Sequence, residues 1–303
     1  GTTIQAIRGN LWRIPTEFTE FIKTPTPENE GALCIIVGPS MQNRDERFEI
    51  TKHIQKLPWK LVIHGSDESH EYDSSVLGAQ KTWMQYPTEK HHGDRNVLIG
   101  WACDTKDLMP ARKPLSERQY DWAFSGQINH AKREDMVRYL SGNGKLIANP
   151  GFNQGVPREE HLRLLTECKI APCPSGTVHP DSFRFAEALE AGCLPVVDSP
   201  AWWEWMGVPV RAVSDWSEFP AILKEYGTVE LQREANRIGA FWQSYKRQYA
   251  MNLYSDLCEV SGPPKVVDPL TVVMFTSVMP SCPDTHIPDQ TIESVRRYTD
   301  ADI

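Results

Sequence analysis

Apolar and polar positions fall in blocks along this chain, and the blocks define its elements. Residues 31–38, GALCIIVG, form a short apolar run closed by glycine. After a polar loop, residues 47–57 carry apolar side chains at helical spacing, and residues 59–65, WKLVIHG, are a second apolar run. Short apolar runs bounded by turn residues read as buried strands, and a period near 3.6 reads as helix, so this stretch is strand, helix, strand. A further apolar run, 96–103, follows polar residues 91–95, and the Pro- and charge-rich stretch 109–118 then breaks the pattern.

From Tyr120 the alternation is regular. Strand-like runs at 120–126, 145–148, 169–174, 194–198 and 208–213 are separated by helix-like stretches at 132–140, 158–168 and 182–191, with another helix over 216–226. Strands alternating with helices of about ten residues imply parallel βαβ units with right-handed crossovers. Ligands of such sheets bind at the carboxyl ends of the strands. Residues 230–258 predict a long helix with Leu231, Ala235, Ile238, Phe241, Trp242, Tyr245, Tyr249 and Leu253 near one stripe. After a linker at 261–264, residues 271–280 read as a strand and 289–298 as a helix. The expected organisation is an α/β protein of two Rossmann-like lobes, 1–115 and 116–262, with 263–303 a linker and the truncated start of a further domain. A βα unit lacking its partner strand cannot bury its own face, which is why the last segment is set apart.

Composition narrows the function. The 303 residues suffice for two ordinary domains. A formal net charge of −8 argues against a protein that grips nucleic acid over a wide surface. No stretch reaches the length of a membrane span and no signal peptide opens the chain, so a soluble, cytoplasmic protein is expected. The seven cysteines are an odd number set mostly in apolar runs, as reduced buried thiols are.

The segment richest in chemistry is 171–199, APCPSGTVHPDSFRFAEALEAGCLPVVDS. A buried strand enters a loop of Pro174, Ser175, Gly176 and Thr177; a helix opens near Asp181 or Ser182 and ends at Gly192, and a second buried strand follows. Free backbone N–H groups and the positive end of the helix dipole suit a diphosphate. Glu187 lies where its carboxylate can accept from ribose hydroxyls, and Gly192 permits a left-handed helix end. By spacing alone, the same residues also describe an ordinary βαβ unit.

The run DSFRFAEALEAGCLPVV, with KIAPCPSG before it and YDWAFSGQINHAKREDM earlier, resembles the donor-binding half of exostosin-type glycosyltransferases. The resemblance spans about 120–205 and implies the two-lobed GT-B fold. It implies that Glu187 holds the ribose of a nucleotide, and that a cation beyond the Gly126 turn neutralises the donor diphosphate. Arg133 matches that spacing best, with Lys132 and His130 beside it, and Arg184 is a second candidate. Many GT-B families carry an acid where this chain has His179, a departure that fits the inverting, exostosin-like branch. The donor set is therefore Gly126, Arg133, Ser175, Gly176, Thr177, His179, Ser182, Arg184 and Glu187.

An inverting transferase needs a base for the acceptor hydroxyl. Asp67 and Glu68, just beyond the strand that ends at His64, are the expected pair. His91 and His92 read as a surface loop. The three tryptophans Trp202, Trp203 and Trp205 suit either a sugar platform or core packing. No metal is expected, no cofactor beyond a UDP- or GDP-linked sugar as co-substrate, and the acceptor is a glycan or another hydroxyl. The rivals are a nucleotide-sugar or glycan-binding module without turnover, a nucleotide-sugar-modifying enzyme, and a transferase acting on a modified nucleic-acid base. The second lacks the G-x-G-x-x-G fingerprint after the first strand. Residues 271–303 weakly resemble the opening of a family-two-like transferase domain.

Overall fold

The computed structural model describes residues 32–37, 52, 55–56, 60–64, 78–84, 109–151, 154–225, 227–261 and 272–276. In chain order its elements begin with strands β1 (Ala32–Val37), β2 (Lys60–His64), β3 (Lys81–Met84) and β4 (Tyr120–Gln127). Helix α1 (Ala131–Tyr139), β5 (Gly144–Asn149), α2 (Arg158–Thr166), β6 (Cys168–Cys173) and α3 (Phe183–Ala191) follow. The chain continues through β7 (Leu194–Val197), α4 (Pro200–Trp205), β8 (Arg211–Ala212), α5 (Phe219–Glu225), α6 (Thr228–Ser261) and β9 (Val272–Thr276). It divides into two compact units, residues 1–104 with 246–303, and residues 105–245.

The first unit holds a four-stranded sheet in the order β3-β2-β1-β9, and every pairing is parallel. Residues 272–276, set apart from the sequence as the start of a further domain, pair with β1 from Leu33↔Val272 to Val37↔Thr276. The physical demand raised above, that a lone βα unit needs a strand to lie against, is met here by β1. On the opposite edge the Trp83 indole N–H donates to Asp256 Oδ2 at 2.9 Å, and the Lys81 ammonium stands 3.1 Å from Glu259. These contacts fasten β3 to the last turns of α6.

The second unit is a five-stranded parallel sheet, order β5-β4-β6-β7-β8, with helices packed on it. A sheet covered on both faces has near-continuous apolar strands, and β6 and β7 are buried along almost their whole length. Edge strand β5 alternates between half-buried and exposed positions instead. Phe124 of β4, Phe185 of α3, Trp203 of α4 and Phe219 of α5 are fully buried, each worth about 1.5–3 kcal/mol of transfer free energy. Of the predicted stripe of α6, Leu231, Ala235, Ile238 and Trp242 are buried and Phe241 and Tyr245 half-buried, while the side chains of Tyr249 and Leu253 lie outside the described ones. Gly192 ends α3 at φ 70°, and the Cys193 N–H closes back onto the Ala188 carbonyl at 2.9 Å.

Four elements differ from expectation, the first being the unanticipated strand β3. The run 208–213 contributes only the two-residue edge strand β8, and 216–226 splits into a short 3-10 turn and α5. Helix α4 was not anticipated, although Pro200 in its first turn is a common helix start. No helix among the described residues is long and apolar enough to cross a membrane.

Candidate functional site at the carboxyl ends of the second sheet

In the order β5-β4-β6-β7-β8 the chain reverses direction across the sheet between β4 and β6, the place where open α/β sheets bind ligands. The ladder there opens. β4 pairs with β5 as far as Gln127↔Asn149, but with β6 only at Tyr120↔Cys168 and Trp122↔Ile170. The Arg184 guanidinium lies over the ends so parted. It stacks 4.3 Å from the Phe124 ring and its Nη2 donates to the Ser125 carbonyl. Gly126 is required for that approach, because a Cβ there would stand 2.5 Å from Arg184 Nη2. Burial holds the Arg184 guanidinium pKa below its ordinary value, against the pull of Cys173 and Glu187.

The loop after β6 is more self-contained than its composition suggests. The Ser175 N–H donates to both Asp198 oxygens, at 3.1 and 3.2 Å, and its hydroxyl donates to Asp198 Oδ1. The Gly176 N–H donates to the His179 carbonyl at 2.8 Å. Two N–H groups expected to face a diphosphate are thus engaged within the protein. Lys132 lies on the outer side of this loop, its ammonium 3.2 Å from Ser175 Oγ and 3.2 Å from Ser199 Oγ. Ser199, which connects β7 to α4, has φ 59° and ψ 57°, left-handed geometry rare for a residue with a side chain. Ser182 caps α3 without a side-chain hydrogen bond, and its buried hydroxyl has no partner among the described residues. Thr177 is exposed.

Arg133, favoured from spacing, donates from Nη1 to the Gln127 carbonyl at 3.1 Å and so fastens the end of β4. Lys132, named only as its neighbour, is exposed and is the cation that bridges the loops after β6 and β7. His179 is buried, its Nδ1 accepting the Asp181 N–H at 3.3 Å and its ring edge-on to Trp202 at 5.0 Å. Trp203 packs on Phe185 at 4.5 Å and belongs to the core, whereas Trp205 is 45 % exposed.

Glu187 is buried on α3 beside the Arg158 and His161 side chains of α2. Arg158 Nη1 donates to its Oε1 at 3.0 Å, and His161 Nε2 stands 2.9 Å from its Oε2. Burial pushes the Glu187 carboxyl up, but the His161 hydrogen bond and the charges of His161, Arg158 and Arg184 outweigh it, holding the pKa at about 2. The carboxylate is ionised throughout the working pH range.

Sequence reasoning missed Arg158, His161, Asp198 and Ser199. For Asp198 a signal existed, an acid at the carboxyl end of a buried apolar run; Arg158 and His161 look like ordinary residues of a charged helix start. Asp67, Glu68, His91 and His92 lie outside the described residues. Among the described residues no cluster of His, Cys, Asp and Glu is arranged to hold a metal ion.

No family model matches the chain. Over 75 residues, 24% of its length, it is 31% identical to the S-adenosylmethionine synthase of Prochlorococcus marinus (strain AS9601). The chain spans 17% of the length of that curated relative.

Proposed function

We propose that this chain is an inverting, exostosin-like glycosyltransferase of GT-B architecture. It moves a sugar from a UDP- or GDP-linked donor to a hydroxyl acceptor without a metal. The observation that carries the reading is the opened ladder between β4 and β6, flanked by Arg184, Lys132 and the hydroxyls of Ser175, Ser182 and Ser199. Two cations and the unpartnered Ser182 hydroxyl at a topological switch point match the needs of a diphosphate.

In this reading the acceptor oxygen attacks the anomeric carbon as the bond from that carbon to the diphosphate oxygen breaks. The acceptor proton passes to Asp67 or Glu68, and the nucleoside diphosphate leaves with its charge stabilised by Lys132 and Arg184. Glu187, its oxygens already oriented by Arg158 and His161, offers its remaining lone pairs to the ribose hydroxyls. Arg133, Gly176, Thr177 and His179 shape the loops around the donor.

The test is a thermal-shift panel of UDP, GDP, their sugar conjugates and S-adenosylmethionine, without metal, on wild type, Lys132→Ala and Glu187→Gln. A nucleotide sugar at a hundred times its Kd adds about 2.7 kcal/mol of stability, and the Lys132→Ala variant loses most of that gain. Silence from every nucleotide overturns the reading. A response to S-adenosylmethionine alone favours a chemistry like that of the Prochlorococcus relative. Binding without sugar transfer or donor hydrolysis leaves the non-catalytic module as the better account.

A further inference from the structure

We propose that the opposite, amino-terminal pole of the second unit's sheet is a separate ligand site, a cavity that takes a small molecule by its compact oxyanion, carboxylate or phosphate. The cavity measures about 480 Å³, within the range of small-molecule pockets. One wall is the strap carrying Arg112, Lys113 and Arg118; a second is the end of α3 at Leu189 and Gly192; the third is the face of α6. None of these residues belongs to the donor site, and the inference does not rest on that reading.

Its charge is out of balance. Arg118 is a cation only 5 % exposed, and its partners among the described residues are carbonyls and one sulfur. Nε donates to Lys113 O at 3.0 Å, Nη1 to Cys168 O at 2.7 Å and Leu165 O at 3.4 Å, and Nη2 to Ala191 O at 2.8 Å, with Cys193 Sγ 3.5 Å from Nη1. No carboxylate pairs with it among the described residues, and Nη2 has a second N–H without an acceptor there. The two neighbouring cations do not share this condition. Arg112 pairs with Glu190 at 3.5 Å and Lys113 pairs with Glu167, so the surplus positive charge at the cavity is that of Arg118. A buried charge without a counter-ion is costly, and an anion entering the cavity relieves the cost.

The α6 wall supplies the rest of a polar site. Gln232 accepts the Leu115 N–H at 3.0 Å and donates to Asn236 at 2.9 Å, which fixes both amides. Half-buried Gln243, two turns beyond Asn236 along the same face, has no partner among the described residues and is available to a ligand's hydroxyl or carbonyl. Gly239 stands between them, and a Cβ placed on it meets nothing within 4 Å. The wall is therefore open where a ligand body would rest.

The open space at Gly239 supplies the test. Melting temperatures are followed against inorganic phosphate and, separately, malonate, with sodium chloride of equal ionic strength as the control. Wild type is expected to show a saturable rise with one of them, phosphate or malonate, which identifies the oxyanion, and no rise with chloride. Gly239→Leu fills the cavity and abolishes the response while its ligand-free melting temperature stays level or rises. Gln243→Glu, a change on a half-buried wall position, sets a carboxylate against the anion and weakens the apparent Kd at least tenfold. No saturable response in wild type overturns the proposal. So does an equal response in wild type and Gln243→Glu, since an anion held at the loops after β6 and β7 does not sense residue 243.

Discussion

Glu187 and Arg118 are both buried charges of the second unit, one beside the carboxyl ends of its strands and the other at their amino ends, and the protein answers them differently. Glu187 is met by side chains, the Arg158 guanidinium at 3.0 Å and the His161 imidazole at 2.9 Å. Arg118 is met by dipoles: the Leu165 carbonyl in the last turns of α2, the Ala191 carbonyl at the end of α3, and the carbonyls of Lys113 and Cys168. Carbonyls at helix C-termini carry the negative end of the macrodipole, so two helices aim partial negative charge at one guanidinium. The carboxyl-end arrangement is held by side chains, whereas the amino-end arrangement is fixed by backbone. The carboxyl-end pole loses its ion pairing only when acid protonates Glu187, and the amino-end pole holds a positive charge that the Cys193 sulfur or an entering anion can answer.

The largest expected effect is at Arg118. Arg118→Met preserves much of the side-chain volume but removes the guanidinium donor from the carbonyls of Lys113, Cys168 and Ala191, while the Leu165 carbonyl keeps the Cys193 thiol at 2.9 Å. The loss is expected to be about 4 kcal/mol, read from urea denaturation, because each buried unsatisfied acceptor costs on the order of 1–3 kcal/mol. A loss below about 1 kcal/mol breaks the comparison, since the backbone dipoles then gain little from the cation.

Glu187→Gln comes next and separates the poles by pH. The folded-state pKa of Glu187, about 2, lies below its ordinary value of 4.5, so the stability it contributes is fully present above about 4.5 and lost as pH falls toward 2. The substitution is expected to cost about 2–3 kcal/mol at neutral pH and to flatten the acid limb of the stability curve between pH 4.5 and 2. An unchanged acid limb in Glu187→Gln assigns that limb to other carboxylates and removes the contrast.

What was legible in the sequence follows from what makes a pattern. The strands and helices of 120–261 are visible because a parallel sheet covered on both faces writes long apolar runs, and α3 and α6 keep their helical stripes. Gly192 was readable as a helix end because a left-handed cap favours one residue type. Elements decided by tertiary contact were not: β8 is two residues on an edge, β3 is the unremarkable KTWM, and α4 is six residues with three tryptophans. At the candidate site, Gly126, Ser175, Arg184 and Glu187 stood out by position relative to strand ends. The preference for Arg133 over Lys132 came from spacing alone, which fixes a residue's place along the helix but not which loop its side chain reaches. Arg158 and His161 were hidden because their function is created by Glu187, 29 and 26 positions away. Arg118 was hidden for the same reason, since carbonyl partners leave no mark in a sequence.

The smallest expected effect lies at Ser199, where the carboxyl-end loops are held by hydroxyls and not by paired charges. Its φ of 59° carries a steric cost that glycine removes, about 1 kcal/mol. Against that gain, glycine loses more backbone entropy on folding, about 0.5–1 kcal/mol. Ser199→Gly also removes the hydroxyl 3.2 Å from Lys132 Nζ and 3.3 Å from Ser175 Oγ, the first on an exposed ammonium and therefore worth little. These terms nearly cancel, so the change in unfolding free energy is expected to stay within about 0.5 kcal/mol, measured by denaturant titration. A loss above about 1 kcal/mol means the Lys132, Ser175, Asp198 and Ser199 network stabilises the fold in its own right. The contrast would then sharpen: both poles would rest on polar networks, one of side chains that a ligand can displace and one of backbone that it cannot.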